Sequence, residues 1–181
     1  IVNSDAALFL DRDGVINHDY GYVHLRHDFK FTDGIFELTS HATKRSYKIV
    51  VVTNQAGIGK GFYSEEAFIE LNEWMCDTFA RNGINISQVY YCASHPDGIG
   101  KYRKVDFRRK PNPGMLLEAR NEFNLDLSKS FFIGDQKTDM EAGFAAGIGC
   151  NILFDPGSEN FEAYGANYLR VSSLVDVIPL M

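Results

Sequence analysis

The run Ile49-Val50-Val51-Val52 constrains the fold more than any other stretch of the chain. Four consecutive β-branched residues favour an extended backbone. Because the apolar character is continuous and not alternating, both faces must be covered, as in the middle of a parallel sheet. Parallel neighbours cannot be joined by tight hairpins, so helical crossovers must flank the run. Apolar positions at helical spacing lie on either side: Ile35, Leu38, Thr39 and Ala42 before it, and Phe68, Leu71, Met75 and Phe79 after it. Ser64 with Glu65 and Glu66 marks the start of the second helix, and Asn82-Gly83 marks its end. Further strands are expected at Ala6–Leu10, Val89–Cys92, Phe131–Ile133 and Asn151–Phe154, with helices from Met115 to Phe123 and from about Thr138 to Ala146. This alternation predicts an α/β fold: an open, mostly parallel, Rossmann-like sheet with helices on both faces. With 181 residues, 45% of them apolar, one domain over residues 1–181 is expected, and the short inserts leave no material for a large cap domain.

A net charge of −6 argues against general nucleic-acid binding, whereas a small phosphorylated substrate needs only a local basic patch. No window is apolar enough for a membrane span, and the N-terminal residues lack a secretory pattern. The three cysteines, Cys76, Cys92 and Cys150, are odd in number and widely spread, which suits a reducing compartment. A cytoplasmic monomer without membrane or nucleic-acid partners is the expectation.

The chemistry concentrates at strand ends, where ligands bind in open α/β sheets. Asp11 and Asp13 follow the first strand and enter a glycine turn at Gly14; Thr53 and Asn54 follow the second; Asp135 and Asp139 follow a later one. Two carboxylates two residues apart sit too close to ionise together without a cation, and Mg²⁺ is the natural one. One acid can then attack an electrophile while the other handles a proton.

These stations, together with Lys110 in Arg109-Lys110-Pro111-Asn112-Pro113-Gly114, resemble the haloacid dehalogenase superfamily of phosphatases, whose four motifs appear in the same order. The segments Asp19-Tyr20-Gly21-Tyr22, Val51-Val52-Thr53-Asn54-Gln55-Ala56-Gly57 and Tyr90-Tyr91-Cys92, with the lysine segment, are similar to the D-glycero-D-manno-heptose 1,7-bisphosphate 7-phosphatase family from about Leu8 to Phe154. The resemblance implies Asp11 as nucleophile and Asp13 as acid and base, with Thr53, Asn54 and Lys110 orienting the phosphoryl oxygens. It implies Mg²⁺ on Asp11, the Asp13 carbonyl and Asp135, with Asp139 behind the metal or capping the helix that follows. Asp19, Tyr22, Thr53, Asn54, Gln55, Arg109 and Lys110 are implied to meet a phosphorylated sugar.

Two departures stand out. Many members fold the loop after Tyr-Tyr-Cys around a structural zinc, but this chain keeps only Cys92 and has Ser94, Asp106 and Arg108 at the other ligand positions. No structural zinc is therefore expected, even with His95 nearby, which leaves Asp106 and Arg108 to hold the loop by charge pairing. Gln136 stands where relatives often carry a substrate-facing lysine. The glycines of Gly57-Ile58-Gly59-Lys60-Gly61 lack nucleotide-binding spacing and read as a flexible turn beside the site. The alternatives to a sugar phosphatase are a histidinol-phosphate phosphatase, whose domain is similar, and a phosphoacceptor signalling module. Asp13 disfavours the latter by promoting phosphate release.

Overall fold

A computed structural model describes residues 5–157 and 168–181. Six parallel strands form one sheet in the order β3-β2-β1-β4-β5-β6, where β1 is Ala7–Leu10, β2 Lys48–Asn54, β3 Ile86–Cys92, β4 Phe131–Gly134, β5 Cys150–Phe154 and β6 Leu169–Val171. The expected strands form, and every pairing in the sheet is parallel. The short edge strand β6 was not among the expected elements: three residues, one of them Arg170, carry no readable periodicity.

The helices are α1 Ile35–Lys44, α2 Ala56–Gly59, α3 Glu65–Arg81, α4 Gly114–Phe123 and α5 Lys137–Ala146. Ser64 caps α3 by accepting from Ala67 N at 3.1 Å. All four residues of β1 are buried, and their alternation divides them between two layers. Leu8 and Leu10 pack with Ile35, Leu38, Met75 and Phe79 of α1 and α3; Ala7 and Phe9 pack with Met115, Leu116 and Ala119 of α4. Each large side chain placed this way contributes roughly 1.5–3 kcal/mol. Charge on the middle of this strand would find no solvent on either face.

Chain order reverses across the β1/β4 pair, since β1 leads to β2 and β3 on one side while β4 leads to β5 and β6 on the other. The crevice beyond the carboxyl ends of such a pair is where an open α/β sheet binds ligands. Leu10 is in register with both Val51 and Ile133, and Asp11 N donates to Ile133 O at 3.0 Å. Asp11 and Asp135 therefore leave adjacent strands side by side. Gly57 to Gly61 is not a flexible turn: Gly57, Ile58 and Gly59 are buried in the single helical turn of α2. Among the described residues no helix is long and apolar enough to cross a membrane.

Candidate active site

The carboxyl ends of β1, β2 and β4 open into a cleft of about 340 Å³, lined by Asp11, Asp13, Asn54, Gln55, Lys110 and Asp135, with Asp19, Tyr22 and Arg109 at its sides. Of the residues expected at the site, only Thr53 lies below this lining, fully buried. Lys60, Tyr63 and Gln136 also line the cleft.

Lys110 organises the floor. Its ammonium is 2.9 Å from Asp11 Oδ1 and 2.7 Å from Asp139 Oδ1, and donates to Val52 O at 2.9 Å, with only 4% of the residue exposed. Burial alone would lower its pKa, but Asp11 and Asp139 hold it well above the ordinary lysine value. The Asn54 carboxamide fixes the lysine's backbone, donating to Lys110 O and accepting from Lys110 N, both at 3.0 Å. Asn54 thus reaches the reaction centre partly through the lysine that it seats.

Asp11, Asp135 and Asp139 bring one carboxylate oxygen each within 4.8 Å of one another. Three acids around one ammonium leave a surplus of buried negative charge, and burial followed by Asp139 and Asp135 pushes the Asp11 carboxyl well above the usual carboxylate range. Asp135 is raised as well, by burial and then by Asp139, and its Oδ1 is buried without a hydrogen-bond partner. An all-oxygen donor set with a charge deficit and an orphaned carboxylate oxygen fits a hard divalent cation such as Mg²⁺. Asp139 has both oxygens engaged, one by Lys110 and the other by Gln136 N at 3.0 Å across the start of α5. It therefore caps the helix and braces the lysine at once. Gly14 makes the crowding possible: its φ is +90°, and a Cβ there would lie 2.0 Å from Asp135 Oδ2.

Asp13 is held from three directions. Arg12 Nη2 donates to both of its oxygens at 2.8 and 3.0 Å, Asn17 Nδ2 to Oδ1 at 3.0 Å, and Gln55 Nε2 to Oδ2 at 3.1 Å. Sequence reading passed over Arg12, although among the described residues it is the largest fully buried side chain. Its guanidinium donates to Val23 O at 2.6 Å and lies 5.9 Å from the Phe29 ring centroid and 5.7 Å from that of Phe68. An arginine between two acids at the mouth of an apolar strand is the signal that could have found it. Tyr63 and Asn17 carried no comparable signal.

The loop after β3 corrects one expectation. Arg108 pairs with Glu118 of α4 at 2.7 Å and not with Asp106. Asp106 instead accepts from Arg108 N at 2.9 Å. Burial would raise its carboxyl, but that amide, the Ser94 hydroxyl, Lys104 and the Cys92 thiol together hold it below the usual carboxylate range. Asp106 fastens the loop through the backbone and short side chains, which costs less conformational entropy than ordering two long charged ones.

The family described as polynucleotide kinase 3 phosphatase matches residues 7–147. A D-glycero-alpha-D-manno-heptose-1,7-bisphosphate 7-phosphatase from Burkholderia mallei is 48% identical over 97% of this chain and 93% of its own. A D-glycero-beta-D-manno-heptose-1,7-bisphosphate 7-phosphatase from Vibrio cholerae is 50% identical over 83% of this chain and 82% of its own. The chain belongs to the heptose-1,7-bisphosphate 7-phosphatase family. That family lies within the haloacid dehalogenase superfamily, and membership makes the chain a phosphoric monoester hydrolase. Among solved structures, a D,D-heptose 1,7-bisphosphate phosphatase from B. bronchiseptica, complexed with magnesium and phosphate, superimposes with a TM-score of 0.83 over 97% of both chains at 22% identity, a likeness of fold. A protein described as a HAD-like phosphatase from Mesorhizobium loti gives 0.87 at 34% identity, over 97% of this chain and 85% of its own.

Proposed function

We propose that the chain, acting as one cytoplasmic, monomeric domain, removes the 7-phosphate of D-glycero-D-manno-heptose 1,7-bisphosphate with Mg²⁺ and feeds nucleotide-heptose synthesis for surface polysaccharide. The observation that carries this reading is the convergence of Asp11, Asp13, Lys110 and Asp135 in one cleft, in a chain so close in sequence to phosphatases of that sugar. Both donors to Asp11, Arg12 N and Lys110 Nζ, fall on Oδ1 at 2.9 Å, which leaves Oδ2 to attack. As Oδ2 bonds to phosphorus, the bond from phosphorus to the sugar oxygen breaks, and that oxygen takes a proton from Asp13. Asp13, now a carboxylate, removes a proton from water; the water oxygen attacks the aspartyl phosphate, releasing inorganic phosphate and restoring Asp11. Lys110 offsets charge on the phosphoryl oxygens, with Thr53 and Asn54 shaping the floor beneath them. Asp11, the Asp13 carbonyl and Asp135 would hold Mg²⁺, which when bound supplies charge neutralisation for nucleophile and phosphate. Asp19, Tyr22, Gln55 and Arg109 border the space left for the sugar and its second phosphate.

Phosphate release from both heptose bisphosphate anomers, set against histidinol phosphate, tests the substrate. A bisphosphate should be preferred by at least about a hundredfold in kcat/KM. Preference for histidinol phosphate would overturn the assignment. Chelation should abolish turnover and added Mg²⁺ should restore it, with zinc well below one per chain because Ser94, Asp106 and Arg108 are poor zinc ligands as a set. Stoichiometric zinc, or turnover unaffected by chelator, would contradict that account.

A further inference from the structure

The mechanism requires Asp13 to face the leaving oxygen, and the groups that fix it extend beyond its immediate neighbours. Gln55 is buried, and its Nε2 donates to Asp13 Oδ2 and to Thr53 Oγ1 at 3.1 and 2.9 Å. A carboxamide can turn over and present its oxygen instead, and an oxygen there would repel Asp13 as a carboxylate and compete with the leaving oxygen for the proton when Asp13 is the acid. What prevents this is Tyr63, whose hydroxyl donates to Gln55 Oε1 at 2.5 Å. Burial raises the Tyr63 pKa to about 12, so the phenol remains a donor at neutral pH. The ring itself is clamped. It stacks on His24 with centroids 4.8 Å apart and planes 4° apart, and it approaches Gly57 so closely that a Cβ there would fall 2.2 Å from Tyr63 Cε1.

We propose that Tyr63 is a positioning residue for the acid step, locking the Gln55 carboxamide so that its N–H side faces Asp13 and holds that carboxyl in its working orientation. Gly57 is glycine because Tyr63 needs that space. The inference rests on the phosphatase mechanism proposed above, but not on the identity of the sugar.

Tyr63→Phe keeps the stacked ring and removes only the hydroxyl, so the test compares two leaving groups with Mg²⁺ present. A sugar alkoxide needs the proton from Asp13, whereas p-nitrophenolate departs without one. For Tyr63→Phe, kcat/KM on heptose bisphosphate or another alkyl phosphate that the wild-type enzyme accepts should fall about tenfold, while kcat/KM on p-nitrophenyl phosphate changes less than about twofold. In a Gln55→Ala background, adding Tyr63→Phe should cost nothing further on either substrate, because the hydroxyl then has nothing to hold. Equal losses on both substrates, independent losses in the double variant, or wild-type rates for Tyr63→Phe would each overturn the proposal. Failure of heptose bisphosphate as a substrate, with the split intact on another alkyl phosphate, would overturn the sugar assignment and leave the role of Tyr63 standing.

Discussion

Asp11→Asn lowers kcat by at least about a thousandfold, or ~4 kcal/mol of barrier, without lowering thermal stability. The amide keeps the shape of the side chain and its oxygen can still accept from Arg12 N, but a neutral carboxamide is too poor a nucleophile to form the acyl phosphate. Stability should hold because the substitution removes one of three crowded carboxylates, while Lys110 keeps its 2.7 Å contact with Asp139. Steady-state assay with acid-quench detection of phosphoenzyme, alongside thermal unfolding, checks both halves. Mass spectrometry must accompany the assay, since deamidation regenerates aspartate. Near-normal turnover in protein verified as asparagine would sink the nucleophile assignment.

Lys110→Met has the opposite profile, damaging both catalysis and the fold. The lysine is almost completely buried and neutralises two buried carboxylates, so its removal leaves them uncompensated at a cost of about 3–5 kcal/mol. For a domain of this size that corresponds to a drop of about 10 °C in the unfolding midpoint. Turnover should fall a further hundredfold or more, because the cation nearest the phosphoryl oxygens is gone. The two readouts separate when activity is measured well below the lowered midpoint. A midpoint equal to that of the wild type would mean that the triad of Asp11, Lys110 and Asp139 is energetically idle.

The centre of the sheet was legible in the sequence because β1, β2 and β4 are buried on both faces and read as apolar runs; β6 was not, since its three residues at the sheet edge include a charged arginine. The acids were legible because strand ends are where an open sheet exposes its polar residues. What stayed hidden were contacts set by tertiary approach and not by spacing. Tyr63 reaches Gln55 only because α2 turns the chain back, and Asn54 meets Lys110 across 56 positions. The pairing expected between Asp106 and Arg108 failed for a related reason: adjacent charges in a loop compete with partners on nearby helices, here Glu118.

The buried Arg12 bears on how such an enzyme can change. Its guanidinium ties Asp13 to Val23 and Phe29 of the loop over residues 18–33 and to Phe68 of α3, while Phe29 and Phe31 pack on Trp74. With Asn17 also buried and donating to Asp13, the loop is a span with footings set in the interior at Asn17 and at Val23, and Asp19 to Tyr22 lie on the stretch between them. Residues on that stretch can be exchanged to suit another sugar without disturbing the acid. Grafting the whole loop from a relative would instead uproot Arg12, so new specificity should arise by substitution within the span and not by its replacement.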